Sequence, residues 1–164
     1  MSALALEIVL KLEEVLGNPT NFFPLHQPRF GKNESCYVQE CIESTFVSSV
    51  GKFVDRFEAS LGEYTGSRYA VAVVNGTCAL HVALQLSGVQ ANEEVLVPSL
   101  SFVAVANAVR YCGAIPHFVD IEEHTLGMAP EALSDWFKHT TEPASGAYRN
   151  RQTGRRLRAL VPMH

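Results

Sequence analysis

The chain has little positive charge and lacks the glycine-rich motifs of the commonest nucleotide-binding proteins. Its 164 residues carry 13 basic and 17 acidic side chains, which gives a net charge of −4. We expect no nucleic-acid partner, because a protein surface that binds the phosphate backbone of a nucleic acid is usually basic. Neither G-x-G-x-x-G nor G-x-x-x-x-G-K-[ST] occurs where a predicted strand meets a helix. Dinucleotide-binding and P-loop proteins are therefore disfavoured.

The sequence also has few cysteines and no uninterrupted membrane segment. The cysteines are Cys36, Cys41, Cys78 and Cys112, with neither a C-x-x-C pair nor a histidine at zinc-finger spacing. We therefore predict no metal site, and a cytoplasmic protein with reduced thiols. The longest uncharged run, 69–92, is long enough to cross a bilayer, but polar residues and glycines interrupt it. It predicts two elements of a soluble protein.

Residues 1–35 are predicted to form an N-terminal region of one helix and one extended loop. Apolar side chains recur at helical spacing between residues 2 and 16, which predicts an amphipathic helix. They are Leu4, Ile8, Leu12 and Val15. Three prolines and a glycine between residues 18 and 35 leave no regular period, which predicts the loop.

The remaining residues, 36–164, are predicted to belong to one α/β domain. Continuous apolar runs predict four strands, and the first is expected to be a parallel strand buried on both faces. The strands are 69–74, 94–98, 115–121 and 157–162. Helical spacing predicts helices at 78–86, 102–112 and 131–139, and residues 140–154 are a loop or hairpin. This alternation predicts a doubly wound, mostly parallel sheet flanked by helices.

The first candidate site is the turn Asn75-Gly76-Thr77-Cys78, between a predicted strand and a predicted helix. Free backbone N–H groups and the positive end of the helix dipole can hold an anion such as a phosphate there. The hydroxyl of Thr77 can add a hydrogen bond. The structural alternative is that Gly76 only makes the turn and Thr77 only caps the helix.

The second candidate is Phe102, one strand and turn later. An aromatic ring at the start of a helix can lie against a planar ligand, although Phe102 can equally cover the apolar core. The carboxyl ends of parallel strands bring the two candidates to one edge of the sheet. Together they fit a phosphorylated aromatic cofactor better than either does alone.

A long stretch of the predicted domain, residues 73–133, reads VVNGTCALHVALQLSGVQANEEVLVPSLSFVAVANAVRYCGAIPHFVDIEEHTLGMAPEAL. It resembles the N-terminal half of the DegT/DnrJ family of pyridoxal-phosphate-dependent sugar aminotransferases. The segments CIESTFVSSVGKFVDRFE and NRQTGRRLRALVPMH are similar to its LegC-like branch, which acts on nucleotide-linked 4-keto-6-deoxy sugars. The resemblance implies a truncated large domain of the fold type I aminotransferases.

The resemblance implies roles for four residues. In the family, the turn matching Gly76, Thr77 and Cys78 binds the phosphate of pyridoxal 5'-phosphate, and the aromatic residue matching Phe102 stacks on the pyridine ring. It also implies a nucleotide-sugar substrate, glutamate as the amino donor, and a homodimer.

The resemblance assigns no catalytic residue to this chain. The family's Schiff-base lysine and the aspartate that pairs with the pyridinium nitrogen lie beyond the point where the sequence stops. We therefore expect the chain alone to be inactive. Two alternatives stay open: a dehydratase of the same family that lacks the lysine, and a non-catalytic α/β anion-binding module.

Other polar residues are weaker candidates. His81 and Gln85 are one helical turn apart and are expected to form the less buried stripe of their helix. The arginines between 149 and 158 are expected to lie on a loop, and contact with nucleotide-sugar phosphates is the alternative. Lys52, in an S-x-x-K match, is expected to be a solvated residue at a helix start.

Overall fold

The computed structural model describes residues 2–17, 22, 24 and 26–163. The chain forms two compact units, a first unit of Met1–Ser67 and a second unit of Arg68–His164. The boundary proposed from the sequence, between residues 35 and 36, therefore lies inside the first unit. Part of the predicted loop, at residues 18–21, 23 and 25, lies outside the described residues.

The first unit contains three helices, α1 (Ala3–Val15), α2 (Asn33–Ser44) and α3 (Lys52–Thr65). The side chain of Ser2 caps α1 by accepting a hydrogen bond from the N–H of Ala5 at 3.2 Å. Contacts around Tyr37 join α2 to α3: its ring lies 5.1 Å from that of Phe53, and its hydroxyl accepts a hydrogen bond from Arg56. Lys52 begins α3, is exposed and pairs with Glu40, as expected of a solvated helix-start lysine.

The second unit is an α/β domain with a mixed five-stranded sheet. Its helices are α4 (Gly76–Leu86), α5 (Val103–Tyr111) and α6 (Pro130–Thr140). Its strands are β1 (Glu94–Pro98), β2 (Ile115–Val119), β3 (Thr141–Ala144), β4 (Ala147–Asn150) and β5 (Arg156–Leu160), in the spatial order β2-β1-β5-β4-β3. The strand β1 is parallel to both of its neighbours, β2 and β5. The predicted α/β fold is confirmed, and the hairpin β3–β4 adds antiparallel pairing at one side.

The apolar core lies between β1 and the helices α4 and α5. Val95 and Val97 point to this face and are at most 1% exposed. They pack with Leu84 of α4 and with Ala108 and Val109 of α5. Burial of side chains of this size stabilises a fold by about 1.5–3 kcal/mol each. The core therefore fixes both helices on one face of the sheet.

The helix α6 covers the opposite face. Successive side chains of a strand point to opposite faces of the sheet, so Leu96 of β1 points to the face opposite Val95 and Val97. On that face Leu96 lies beside His117, its partner in the register of β2. The rings of His117 and Trp136 are 4.5 Å apart, and those of Phe137 and Tyr148 are 5.6 Å apart. These contacts join α6 to both β2 and the hairpin.

The predicted strand at 69–74 is wrong. These residues do not belong to the sheet, and Tyr69, Val71 and Val74 are 81%, 77% and 86% exposed. A buried parallel strand needs a neighbouring strand for its backbone hydrogen bonds. The central strand β1 already has β2 on one edge and β5 on the other. An apolar, β-branched composition is therefore not sufficient to make this segment a strand.

Among the described residues, no helix combines the length and the apolar character that a membrane span requires.

Candidate functional site

The topology brings the first turns of α4 and α5 to the same edge of the sheet. Helix α4 precedes β1 and α5 follows it, so both run opposite to the strand. They pack against each other on one face. At the amino-terminal edge, the N–H of Asn92 donates to the carbonyl of Gly113 at 3.0 Å and joins the loops that follow the two helices. Both helices therefore begin at the carboxyl-terminal edge, where α/β sheets place their ligands.

The first candidate turn forms the start of α4. Asn75 is the N-cap residue, and its Oδ1 accepts a hydrogen bond from the N–H of Cys78 at 2.9 Å. The helix begins at Gly76, so Thr77 lies within its first turn. The expectation that Thr77 caps the helix is therefore wrong, because the cap comes from Asn75. Asparagine and threonine both favour this position, and the sequence alone did not separate them.

The surroundings of Gly76 are open. The residue is exposed, and a Cβ atom added to it would meet no atom of the described residues within 4 Å, apart from its chain neighbours and the backbone of its own helix. The first N–H groups of a helix have no acceptor within it. Here the N–H of Cys78 donates to Oδ1 of Asn75, whereas those of Gly76 and Thr77 have no acceptor in the helix or in its cap. Thr77 and Cys78 are half-buried. The turn thus offers backbone donors and space to a small anion.

Phe102 stands at the start of α5 with an exposed ring. It is the N-cap residue in an extended backbone conformation, with φ −66° and ψ 136°, and it is 78% exposed. The alternative that Phe102 covers the apolar core is therefore wrong. A cavity of about 200 Å³ lies between Phe102 and Phe118, with Val97 and Pro98 of β1 also in its wall. The ring is free to contact a planar ligand at this edge.

His81 lies away from this edge, between α4 and the far end of α5. Its Nε2 is buried without a hydrogen-bond partner among the described residues, and its ring meets the Tyr111 ring at 5.8 Å. The expectation of an exposed stripe therefore fails for His81, although Gln85 is exposed. The Sγ of Cys112 lies 4.0 Å from the His81 carbonyl oxygen, and burial raises the pKa of this thiol. Cys112 is therefore a packing residue that stays protonated at neutral pH.

The arginines between 149 and 158 gather at the opposite, amino-terminal edge. Arg151 donates to the carbonyl of Thr141 at 2.8 Å, and Arg155 lies 4.0 Å from the carboxylate of Glu94. Arg158 donates to the carbonyl of Ser87 at 3.0 Å, at the end of α4. These contacts stabilise the turns around β3, β4 and β5 and the end of α4. They give no support to the alternative that the cluster binds a ligand beside Phe102.

A buried polar network at the same amino-terminal edge was missed in the sequence. Glu94 and Asn150 are each 1% exposed, and Asn150 Nδ2 donates to Glu94 Oε2 at 2.9 Å. The hydroxyl of Thr153 donates to Glu94 Oε1 at 2.6 Å. The one feature of the sequence that could have indicated this network is Glu94, an acidic residue directly before the apolar residues of a predicted strand. The network joins β1 to the end of β4 and to the turn before β5.

No group of three histidine, cysteine, aspartate or glutamate side chains is arranged to hold a metal ion within the part of the chain that the structure describes. The α4 turn and Phe102, which lie at the same edge of the sheet, form the candidate site.

Comparison with known proteins identifies the family that this part of the chain matches. Residues 28–144 match the DegT/DnrJ/EryC1/StrS aminotransferase family, and this range includes both the α4 turn and Phe102. The chain is 46% identical over 101 residues to a protein named GDP-perosamine synthase from Caulobacter vibrioides. It is 42% identical over 121 residues to a GDP-perosamine synthase from Escherichia coli O157:H7. These matches cover 62% and 74% of this chain.

Solved structures agree with these matches. The aminotransferase from Psychrobacter cryohalolentis is 35% identical, with a TM-score of 0.62 over 70% of this chain and 29% of that protein.

The matches to the two curated relatives cover 27% and 33% of their lengths. The chain thus spans about a third of the length of the curated relatives it matches.

Proposed function

Because the chain belongs to the DegT/DnrJ/EryC1/StrS aminotransferase family, we propose that it forms the cofactor-phosphate and ring-stacking part of a pyridoxal-phosphate-dependent sugar aminotransferase. The proposed substrate is a nucleotide-linked keto-deoxy sugar, and the proposed amino donor is glutamate. The observation that carries the proposal is that the α4 turn and Phe102, both within the matched residues, lie at one edge of one sheet.

The residues at this edge fit the cofactor. The N–H groups of Gly76 and Thr77 and the hydroxyl of Thr77 would hold the phosphate, aided by the positive end of the α4 dipole. Gly76 has no side chain to obstruct a phosphate, and the space beside it is open. The exposed ring of Phe102 would stack on the pyridine ring.

These residues position the cofactor and shield it. When bound, pyridoxal phosphate supplies an electron sink that stabilises negative charge at the substrate carbon. The α4 turn would fix the phosphate end, and Phe102 would orient one face of the ring and exclude water from it. The reaction also needs an amine to move the proton and a carboxylate to keep the ring nitrogen protonated. We assign neither group to a residue of this chain, and we expect the chain alone not to transaminate.

A homodimer is part of this proposal. Apolar side chains on α1 are exposed, including Leu4 at 67% and Ile8 at 52%, and helices of this kind are usually covered by another protein surface. A second copy of the chain is the proposed partner.

The reaction is tested with the complete product of the gene. Incubation with a GDP-linked 4-keto-6-deoxy sugar and glutamate labelled at its nitrogen is expected to give an amino sugar that carries the label, together with an equal amount of 2-oxoglutarate. The GDP-linked sugar is the first choice because two relatives are named GDP-perosamine synthase. A deoxygenated sugar without labelled nitrogen would instead identify the lysine-less dehydratase. No turnover, with no spectral change on addition of the cofactor, would favour the non-catalytic module.

Phe102 is tested by its effect on cofactor affinity. Phe102→Ala is expected to weaken binding of pyridoxal phosphate about tenfold, since ring stacking contributes about 0.5–1.5 kcal/mol beyond burial. The measurement is an absorbance titration of the chain. Phe118→Ala is the matched control, because Phe118 is also exposed, at 58%, and lies across the same cavity. An equal loss in both variants would contradict a specific stacking role for Phe102.

A further inference from the structure

A second cavity of the α/β domain lies between α6 and the hairpin β3–β4, and we call it the α6 cavity. Its volume is about 540 Å³, within the range of about 300–1,000 Å³ that is usual for small-molecule sites. Helix α6 covers the face of the sheet opposite α4 and α5, so the cavity shares no face with Phe102. Its wall consists of Phe137, Lys138, Thr141, Pro143, Tyr148 and Arg151.

Tyr148 and Pro143 form the apolar side of the α6 cavity. They are partners in the register of the hairpin, so their side chains lie next to each other on one face. The rings of Phe137 and Tyr148 are 5.6 Å apart in an edge-to-face arrangement, which restrains the Tyr148 ring. Tyr148 is nevertheless 50% exposed. A ring that is held in place and half uncovered can stack on a planar base.

Arg151 supplies a cation whose position is fixed by the hairpin. Its backbone N–H donates to the carbonyl of Thr140 at 2.9 Å, and its Nε donates to the carbonyl of Thr141 at 2.8 Å. Among the described residues, none accepts a hydrogen bond from Nη1 or Nη2 of Arg151. A planar guanidinium with free donors is suited to bind a phosphate through two parallel hydrogen bonds.

Lys138 supplies a second cation to the same cavity. Its Nζ lies 3.1 Å from the carboxylate of Asp135, and both side chains are well exposed. An exposed ion pair of this kind contributes little to stability, so Lys138 can turn to an anionic ligand. The wall of the cavity contains these two cations and no acidic side chain.

We propose that the α6 cavity binds a nucleoside diphosphate, with the base against Tyr148 and Pro143 and the phosphates on Arg151 and Lys138. Tyr148 and Arg151 are three residues apart along an extended chain, which separates their Cα atoms by about 10 Å. A nucleoside diphosphate spans a similar distance from its base to its terminal phosphate. This site is separate from the one formed by the α4 turn and Phe102, and it does not depend on the proposed function.

The test is a calorimetric titration of the chain with GDP, guanosine and inorganic pyrophosphate. GDP is expected to bind more tightly than either of the others, because guanosine lacks the phosphates and pyrophosphate lacks the base. Tyr148→Leu keeps an apolar side chain but removes the ring, and it is expected to weaken GDP binding about tenfold without affecting pyrophosphate. Arg151→Gln is expected to weaken binding of both compounds about tenfold, since it removes hydrogen bonds from a charged donor.

Arg149→Gln is the matched control for the loss of a positive charge. Arg149 is next to Tyr148 in β4, so its side chain points to the other face of the hairpin. We expect it to change the affinity for GDP less than about twofold, because charges outside the cavity are screened by salt. Lys138→Gln removes a cation that holds no turn, and it is expected to weaken GDP binding about threefold even if Arg151→Gln lowers the thermal midpoint.

Four results would overturn the inference, and none of them bears on the proposed function. Absence of GDP binding is the first. Pyrophosphate that binds as tightly as GDP would show that no base stacks on Tyr148. Equal losses in Arg149→Gln and Arg151→Gln would show a general attraction of anions. Loss of GDP binding in Phe102→Ala but not in Tyr148→Leu would place the nucleotide at the candidate site instead.

Discussion

Glu94→Ala is expected to lower the free energy of unfolding of the second unit by about 2–4 kcal/mol, since hydrogen bonds to a charged group contribute about 1.5–3 kcal/mol each. Glu94 is 1% exposed and accepts hydrogen bonds from Asn150 and Thr153. Alanine would leave the buried Nδ2 of Asn150 without its acceptor and open a cavity at the start of β1. The measurement is urea unfolding followed by the fluorescence of Trp136, the single tryptophan, whose ring contacts that of His117 in the same unit.

Glu94→Gln is the matched control for this experiment. Glutamine keeps the volume of the side chain, its oxygen can accept from Asn150, and its amide can donate to the hydroxyl of Thr153. We therefore expect it to lose less than half as much stability as Glu94→Ala. Equal losses would show that the negative charge matters more than the hydrogen bonds. A loss below about 0.5 kcal/mol for alanine, the range typical of surface positions, would contradict a structural role for the network.

Gly88→Ala is expected to destabilise the second unit by about 2 kcal/mol, because a residue with a Cβ atom loses about 1–2 kcal/mol in the left-handed region. Gly88 has φ +78°, and its Cβ would collide with Nη2 of Arg158. The exposed guanidinium would then have to shift, which would weaken the hydrogen bond that Arg158 donates at 3.0 Å to the carbonyl of Ser87 at the end of α4. That hydrogen bond also places a cation beside the negative end of the helix dipole.

The shape of β5 explains why Arg158 reaches this position. The pairing of β1 with β5 shifts between Glu94 and Val95, which pair with Leu157 and Ala159, so Arg158 is the extra residue of a bulge. A bulge can redirect a side chain out of the regular alternation. The contact between Gly88 and Arg158 therefore depends on an irregularity in a strand seventy residues later in the chain.

Gly146→Ala is the matched control for Gly88→Ala. Gly146 has the same φ of +78°, in the tip of the hairpin, but apart from its chain neighbours no described residue has an atom within 4 Å of its Cβ position. Its replacement therefore adds backbone strain without the collision. Thermal unfolding of both variants should show the larger loss for Gly88→Ala, and Arg158→Ala combined with Gly88→Ala should remove the excess. A loss at Gly146 as large as that at Gly88 would contradict the role given to Arg158.

The elements predicted most accurately were those with strong local patterns. The predicted strand 94–98 matches β1, and the predicted helix at 131–139 lies within α6. Both rest on continuous or periodic apolar residues bounded by polar ones. The segment 69–74 has an equally apolar pattern but is not a strand, because strand formation depends on a neighbour that the local sequence does not specify. The local pattern of apolar residues therefore predicts helices with a regular apolar face and strands at the centre of the sheet. It does not predict whether an apolar segment finds a neighbouring strand.

The candidate site could be predicted in part. The turn at Asn75 and the aromatic residue at Phe102 were identified from residue types next to predicted elements, and the resemblance to the family added their proposed roles. The atom that caps α4 and the exposed state of the Phe102 ring needed coordinates. Asn75 and Thr77 are both good capping residues, and the choice depends on where the helix begins.

The amino-acid sequence alone determined the family and the α/β class of this protein, because both are carried by residues close together along the chain. The tertiary structure decided which polar residues are buried and which are available to a ligand. Glu94 meets Asn150 and Thr153 across 56 and 59 residues, and Arg158 meets Ser87 across 71. Such contacts depend on strand order and register, which bring distant residues together and which no local pattern encodes.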